Sequence, residues 1–273
     1  MFTTGKTVLV TGSTDGIGKE TARTLALQGA RVLIHGRSRE RVNETIREIQ
    51  SENPQAAVEG YVADFSSLQT VKAFAGEIKT KEPALQILIN NAGTYALEFQ
   101  VSQDGYELTF AVNHLAPFLL TLSLLPVLQH NSPARIITVV SIGHTVRDFD
   151  ISKIHDPTGY KAWTAYKISK LANILMTYEL AERLAGSRVT ANCLHPGAVD
   201  TKMLYNAFPD THGISIAEGA KSSIYLASSD EMAAMSGAYF EDCKPVRSAP
   251  ITYDKELRER LWKQCELWTG FVK

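Results

Sequence analysis

Short apolar runs alternate along the chain with longer segments in which apolar residues recur every three or four positions. The short runs predict strands at residues 7–11, 31–35, 57–63, 85–90, 135–141, 188–194 and 238–240. The longer segments predict helices at residues 16–28, 38–51, from about 67, 106–125, 160–184, 217–227 and 253–268. Such alternation is typical of a parallel sheet covered on both faces. It predicts an α/β fold, a single doubly wound Rossmann-type domain over residues 1–273, with a substrate loop near 203–216.

Composition narrows the class of protein further. Lys and Arg number 28 against 29 Asp and Glu, so we expect no nucleic-acid partner. No basic region with a following apolar run marks the N-terminus, and no later stretch reaches the roughly 18 uninterrupted apolar residues of a membrane helix. The three cysteines lack a Cys-x-x-Cys pair, and the seven histidines lack metal-like spacing. We expect a cytoplasmic protein with no membrane anchor and no metal.

A glycine-rich turn joins the first predicted strand to the first predicted helix. The candidate cofactor contacts in it are Gly12, Ser13, Thr14, Asp15, Gly16, Ile17 and Gly18. Amides at a helix N-terminus favour anions, and glycine lets a pyrophosphate approach the backbone closely. The position predicts a dinucleotide site, and a purely structural glycine turn is the alternative.

The end of the second predicted strand indicates which dinucleotide is bound. A site that prefers NAD usually has an acid about 20 residues after the glycines, whereas this chain has Arg37 there. A guanidinium pairs bidentately with a 2′-phosphate, which a carboxylate would repel. The sequence therefore favours NADP(H), with Ser38 and Arg39 as further contacts. The alternative is that Arg37 is a solvated cation at a strand end.

Two more strand ends offer contacts for the adenosine half of the cofactor. Asp64 and the adjoining Phe65 follow the third strand, where Asp64 can accept a hydrogen bond from an adenine amino group or cap the helix that begins near Ser67. Small residues after the fourth strand let the backbone approach the ribose, or form an ordinary turn. These residues are Asn91, Ala92 and Gly93.

The candidate catalytic residues lie further along the chain. Tyr166 and Lys170 are spaced i, i+4 on one face of a predicted helix, so the ammonium is expected to lower the pKa of the phenol. Ser141 ends the fifth strand, where its hydroxyl can donate to a substrate carbonyl. Pro117 has no N–H, so the Asn113 carbonyl loses its helical donor and is free to hold a proton-relay water; a tolerated kink is the alternative.

Together these residues resemble the short-chain dehydrogenase/reductase family, in its compact branch with a Thr-Gly-x-x-x-Gly-x-Gly turn. The resemblance runs over essentially the whole chain. Three stretches, 113–121, 169–175 and 194–201, are similar to the retinol dehydrogenase-related subgroup in particular. The long interval between Ser141 and Tyr166 is also typical of that subgroup.

The resemblance implies a role for each matching residue. Tyr166 would be the general acid/base, Ser141 would polarise the carbonyl, and Lys170 would hold the nicotinamide ribose. Asn113 would organise the relay water. The residues implied to line the nicotinamide and phosphates are Pro196, Gly197, Val199 and Thr201. Ile142 departs from the family, in which a second serine is common at that position.

The expected function is NADP(H)-dependent interconversion of an aldehyde or ketone with an alcohol by hydride transfer. Large residues flank the expected opening and indicate an apolar small-molecule substrate, or simply pack as a lid: Trp163, Met203, Leu204, Tyr205 and Phe208. His144 is more typical of a surface or capping histidine than of a substrate contact. The long helix at 160–184 leaves a homo-oligomer open.

Two alternatives share parts of this pattern. A non-catalytic NADP-binding regulator can keep the glycine turn while losing the proton-transfer residues. A sugar-nucleotide epimerase or dehydratase would keep the tyrosine and lysine, but with a differently spaced turn and a larger C-terminal region. The intact proton-transfer set and the short C-terminal region favour carbonyl chemistry.

Overall fold

The computed structural model describes residues 1–146 and 149–271. Its sheet has eight strands in the order β3-β2-β1-β4-β5-β6-β7-β8. The strands are β1 (Thr7–Val10), β2 (Arg31–Gly36), β3 (Val58–Val62), β4 (Leu85–Asn90), β5 (Ala134–Val139), β6 (Val189–His195), β7 (Tyr239–Glu241) and β8 (Lys244–Val246). All neighbours pair in parallel except β7 and β8, which form an antiparallel hairpin.

Helices connect the parallel strands and cover the sheet. They are α1 (Gly16–Leu27), α2 (Arg39–Glu52), α3 (Leu68–Lys81), α4 (Leu108–Phe110), α5 (Ala116–His130), α6 (Ala162–Arg183), α7 (Lys202–Ala207), α8 (Ile216–Ser228) and α9 (Lys255–Thr269). A π-helical turn, Ala111–Leu115, joins α4 to α5. The predicted α/β fold, a doubly wound parallel sheet with helices on both faces, is confirmed.

Two apolar layers hold the helices to the sheet. On β1, Val8 and Val10 face a layer that includes residues of α1, α2 and α8, whereas Leu9 faces residues of α3, α5, α6 and α9. All three side chains are completely buried. Because successive strand side chains point to opposite faces, one apolar run supplies both layers.

Two short elements of the structure were not predicted from the sequence. Strand β8 was not predicted, because its three residues are exposed and too few to show an apolar alternation. The segment near 203–216, predicted as a loop, contains the short helix α7, which Thr201 caps by accepting a hydrogen bond from the Leu204 amide. A six-residue helix has too few apolar repeats to be recognised.

One helical stretch of the described chain, Leu108–His130, is long and apolar enough to cross a membrane, with a mean hydropathy of 1.7. The protein itself buries 72% of that window. Such burial is typical of a core helix, and α5 accordingly packs against α3 and the sheet.

Candidate active site

A cavity of about 720 Å³ lies at the carboxyl ends of the central strands, where the strand order changes direction between β1 and β4. This is the usual ligand site of a doubly wound sheet. Most of the predicted site residues line it: Gly12, Thr14, Asp15, Gly16, Ile17, Gly18, Arg37, Asp64, Phe65, Asn91, Ala92, Gly93, Tyr166, Lys170, Pro196 and Thr201. The other predicted residues lie outside this lining, and they are Ser13, Asn113, Ser141, Gly197 and Val199.

The glycines of the glycine-rich turn are required by contacts within the protein as well as by access to the cavity. Gly12 and Gly16 have φ angles of 64° and 52°, in the left-handed region that favours glycine. A Cβ on Gly18 would lie 2.2 Å from the Asn91 amide nitrogen. That amide group donates to the carbonyls of Thr11 and Gly12, so β4 and the turn hold each other in place. The glycines therefore bring α1 and its N-terminal amides close to the cavity.

His35 fixes the same turn from β2. Its Nδ1 accepts a hydrogen bond from the Gly12 amide, and its Nε2 donates to the Ala63 carbonyl. Burial lowers the pKa of His35 to about 4, so the ring is neutral and carries its proton on Nε2. The sequence offered no signal for this role, since a strand-end histidine has many uses.

Ser13 has a structural position rather than a ligand-facing one. Its side chain is completely buried and accepts a hydrogen bond from the His35 amide. The predicted contact of Ser13 with a cofactor is therefore not supported by its side chain. Its neighbours Thr14 and Asp15 line the cavity instead.

Basic residues gather at the end of the cavity next to β2. Arg37 is exposed there and lines the cavity, as predicted. Arg41 also lines it, and its guanidinium bonds the Asp15 carboxylate at 2.9 Å. Ser38 instead caps α2, and Arg39 bonds the Gly60 carbonyl, so neither lies in the cavity lining. The sequence analysis did not predict a role for Arg41, because the residue reaches the site only through the way α2 packs next to the glycine turn.

Asp64 does not cap α3. Ser67 does, accepting a hydrogen bond from the Thr70 amide, while Asp64 accepts one from the Ser66 amide within its own loop. The capping alternative is therefore wrong. Asp64 and Phe65 both line the cavity next to β3, where a cofactor contact remains a prediction.

Tyr166 and Lys170 lie together in the first turns of α6 and line the same cavity as the glycine turn. Lys170 Nζ donates to the Val139 carbonyl at 3.0 Å and lies 5.5 Å from the centre of the Tyr166 ring. Burial lowers the pKa of Lys170 to about 8. Burial also raises the pKa of Tyr166 to about 12, against a smaller lowering by a hydrogen bond with Ser141.

The predicted acidification of Tyr166 by Lys170 is thus wrong for this arrangement. Desolvation of the phenolate outweighs any attraction to an ammonium that is directed at Val139. Ser141 lies beside Tyr166, just outside the cavity lining, and its hydroxyl also accepts a hydrogen bond from the Gly143 amide at 3.1 Å.

Asn113 lies in the π-helical turn that precedes Pro117, beneath the loop after β4. Its amide side chain accepts from the Thr94 amide and donates to the Thr94 carbonyl and the Ser169 hydroxyl. The Asn113 carbonyl accepts a hydrogen bond from the Asn173 side chain at 2.8 Å. Asn173 therefore occupies one acceptor position of the carbonyl that was predicted to be free for water.

Aromatic side chains surround the open side of Tyr166. The Trp163 ring stacks on it, with centroids 5.7 Å apart and planes 15° apart, and Tyr95 packs against it at 5.6 Å. Phe208, after α7, meets Trp163 edge-on at 5.3 Å. Met203 of α7 lines the cavity. The predicted apolar opening is present, although much of it packs against itself.

His144 is buried and is therefore not a surface histidine. It is 3% exposed, and it donates from Nδ1 to the Ser141 carbonyl at 2.7 Å. Its Nε2 accepts from the Ala249 amide at 3.0 Å. It therefore ties the Ser141 backbone to the segment that leads into α9.

The loop after β6 divides into two parts. Pro196 and Thr201 line the cavity, and a Cβ on Gly16 would lie 3.3 Å from the Thr201 methyl. Val199 is 4% exposed and packs against Gly219 of α8 instead. Gly197 has a φ of 92°, which lets the loop turn away from the strand. Of these residues, the predicted contacts of Gly197 and Val199 are not supported by the cavity lining.

Comparison with known proteins shows the class of this one. Residues 6–212 match the family model for short chain dehydrogenases. The chain is 40% identical to human retinol dehydrogenase 14 over 98% of its length and 88% of the relative. It is 37% identical to human retinol dehydrogenase 13 over 97% of its length and 85% of the relative.

Solved structures give the same result. An uncharacterized protein from Mycobacterium paratuberculosis superimposes with a TM-score of 0.81 and 30% identity, over 98% of this chain and 94% of the other. A short chain dehydrogenase from Escherichia coli complexed with NADPH superimposes with a TM-score of 0.73 and 26% identity, over 89% and 98%.

The fold, the glycine turn and the Tyr–Lys pair thus belong to a dinucleotide-dependent oxidoreductase. The chain is a member of the short-chain dehydrogenase/reductase family, in its retinol dehydrogenase-related subgroup, and it acts on the CH–OH/C=O pair.

Proposed function

We propose that this protein is an NADP(H)-dependent oxidoreductase that interconverts an apolar aldehyde or ketone with its alcohol. The observation that carries the proposal is a single cavity that is lined both by the glycine turn with Arg37 and by Tyr166 with Lys170. An extended dinucleotide needs both parts of this lining, and the cavity volume of about 720 Å³ is in the range of cofactor sites.

The residues of the cavity fit such a cofactor. Gly12 and Gly16, both with positive φ angles, carry no side chain at these two points of the turn, and the N-terminus of α1 presents amides to an anion. When bound, the nicotinamide would donate or accept the hydride, which is chemistry that side chains cannot supply.

The protein's own residues would handle the proton. Tyr166 would donate its phenolic proton to the carbonyl oxygen during reduction and recover it from the alcohol during oxidation. Ser141, hydrogen-bonded to Tyr166, would share the developing negative charge. Lys170 would move from Val139 toward the site and supply the positive charge that favours the phenolate.

The preference for NADP(H) rests on charge. Arg37 and Arg41 both line the adenosine end of the cavity, and β2 ends there without an acid. Asp15 holds Arg41 and Lys202 by ion pairs of 2.9 Å, so cations remain close to where phosphates would lie. A short chain dehydrogenase of the same fold is solved with NADPH.

The substrate class rests on the aromatic residues around Tyr166. Trp163 and Phe208 are each 38% exposed beside the site, and Ile142 is 52% exposed. Apolar area of this kind favours a ligand with a large hydrocarbon part. The relatives that carry the name retinol dehydrogenase agree with an apolar alcohol or aldehyde.

Replacement of Tyr166 by Phe tests the chemistry. The variant keeps the ring that stacks on Trp163 but has no proton to donate, so carbonyl reduction is expected to fall by a factor of about 10² or more. NADPH binding, followed by fluorescence, is expected to stay within about twofold. Full turnover in a panel of aldehydes, ketones, quinones and steroids would reject the role of Tyr166.

Replacement of Arg37 by Ala tests the cofactor preference. Loss of a charge-assisted contact to the 2′-phosphate is expected to raise the Kd for NADPH about tenfold or more, with little change for NADH. Replacement of exposed Arg47 on α2 by Ala is the matched control, since that residue lies outside the cavity lining. Equal weakening of NADPH and NADH by Arg37→Ala would reject the 2′-phosphate argument.

A further inference from the structure

His195 ends β6 near Lys170 of the proposed catalytic pair, and the chemistry proposed above does not use it. Its strand neighbour on β7 is Glu241, in parallel register. On the other side of β6, Leu194 pairs with Val139 of β5, whose carbonyl accepts the hydrogen bond of Lys170. The register therefore places His195 one residue beyond the point where Lys170 is anchored.

The side chain of His195 is on the same face of the sheet as Lys170. Cys193, two residues earlier on β6, packs with Ile174 and Tyr178 of α6, whereas Leu194 belongs to the opposite layer. Side chains alternate along a strand, so His195 also faces α6. Lys170 precedes Ile174 by one helical turn on the same face of that helix, because residues four apart stack along a helix.

The hydrogen bonding of His195 is incomplete. Its Nδ1 atom is buried and has no hydrogen-bond partner among the described residues. Buried polar atoms are nearly always satisfied, so an orphaned ring nitrogen next to a reactive centre calls for a water or a proton-transfer partner.

Three ionisable groups surround His195, each from a different element. Glu241 of β7 raises its pKa, while His144 and Lys170 lower it, and burial, the largest cause, leaves the pKa below its ordinary value. Glu241 accepts a hydrogen bond from the Tyr239 hydroxyl at 2.6 Å and is half-buried near the rim of the sheet. His195 therefore lies near an acid of β7 and near the ammonium of Lys170, each close enough to influence its charge.

We propose that His195 is a positioning residue that carries protons between Lys170 and Glu241, and so connects Tyr166 to solvent on the β7 side of the site. This rests on the function proposed above. In reduction, Tyr166 gives a proton to the substrate and regains one from Lys170. Lys170 regains one from one nitrogen of His195, and the other nitrogen accepts one from solvent beside Glu241. One proton enters and one leaves, so the imidazole keeps its charge but ends as the other tautomer, and a ring flip or proton exchange with water restores it before the next turnover.

The arrangement around Asn113 supports a second path. The Asn113 side chain bonds Thr94 and Ser169, and its carbonyl is engaged by Asn173. A relay at that carbonyl would have to share the acceptor with Asn173. In the described part of the chain, by contrast, the buried Nδ1 atom of His195 has no hydrogen-bond partner.

The first test does not depend on activity. In full-length protein with ¹³C-labelled histidine, NMR titration gives the pKa of His195, assigned from the signal that His195→Gln removes. Lys170→Met is expected to raise this pKa, because the nearby ammonium lowers it, and Glu241→Gln is expected to lower it. The signal of exposed His130 is the internal control. A His195 pKa that is unchanged in both variants would overturn the proposal.

The second test measures the proton path during NADPH oxidation with an aromatic aldehyde such as cinnamaldehyde. His195→Gln is expected to lower kcat about tenfold or more, to enlarge the solvent isotope effect, and to be partly rescued by imidazole in the buffer. The Kd for NADPH is expected to stay within about twofold, and His130→Gln is the matched control. Wild-type kcat, or a lower kcat with an unchanged isotope effect and no rescue, would overturn the relay.

The two proposals fail in different ways. If the wild-type protein oxidised NADPH with no carbonyl compound in the panel, the proposed function would be rejected, whereas the NMR coupling of His195 to Lys170 would stand or fall independently. If turnover were normal in His195→Gln, the function would stand and the relay would be rejected.

Discussion

His35 gives a pH dependence of stability whose size follows from the structure. It is 3% exposed, and both ring nitrogens have hydrogen-bond partners in the neutral form. Burial holds its folded pKa at about 4, against about 6.5 in the unfolded chain. The unfolded state therefore binds the extra proton first as the pH falls below about 6.5, and folding loses free energy until the pH reaches about 4.

The expected loss can be worked out from these two pKa values. From pH 7.5 to pH 5, His35 alone should remove about 2 kcal/mol from the free energy of unfolding, and below pH 4 a little over 3 kcal/mol. Replacement of His35 by Asn keeps an acceptor for the Gly12 amide but no longer titrates. The variant should be less stable at neutral pH, because it loses the bond to Ala63 and the stacking on Phe65 and Phe74.

Urea unfolding at pH 7.5 and at pH 5, followed by circular dichroism, measures the difference. The wild-type protein should lose about 2 kcal/mol more between the two pH values than His35→Asn does. His114 and His155, whose pKa values burial also lowers to about 4, titrate in both proteins and cancel in this comparison. His130→Asn, an exposed control, should keep the wild-type slope. Equal slopes in His35→Asn and the wild type would refute the reasoning.

Two further predictions concern packing. Gly18→Ala should weaken NADPH binding and lower Tm, because its Cβ would clash with the Asn91 amide nitrogen. Gly76→Ala, whose Cβ would meet no atom of the described chain within 4 Å, is the control and should change neither. Calorimetry measures Tm and cofactor titration measures binding, and wild-type behaviour of Gly18→Ala would contradict the close approach. Trp262→Ala should lower the free energy of unfolding in urea by about 3–5 kcal/mol, because this 3% exposed ring packs edge-on against Phe118. Leu267→Ala on the same helix is the control and should lower it little, because Leu267 is 75% exposed. Equal losses in the two variants would contradict the packing argument.

The central strands and the Tyr–Lys pair were predictable from local signals. Strand β4, predicted at 85–90, has the bounds Leu85–Asn90, because a short apolar run with buried neighbours on both faces has few alternatives. Tyr166 and Lys170 share a helix face by spacing alone. The roles of Ser13 and His35 could not be predicted from local signals, because they depend on how the glycine turn packs against β2.

The other site residues that the sequence analysis did not predict correctly depend on contacts between segments that are far apart in the chain. Arg41 reaches the cavity because α2 turns back over the glycine turn, and Asn173 reaches the Asn113 carbonyl because α6 packs against the π-helical turn. Val199 was predicted to contact the cofactor, but Gly219 leaves a space on α8 that its side chain fills. No local pattern contains these pairings, since the partners are far apart in the chain.

Periodicity and the spacing of a few polar residues determined the α/β class, the order of its elements and the presence of a phenol next to an ammonium. Those properties depend on neighbours within a turn or a strand, which the chain itself specifies. Only the tertiary structure decided the protonation chemistry. Burial raises the pKa of Tyr166 and lowers that of Lys170, because desolvation depends on everything packed around a group and not on the residue four positions away.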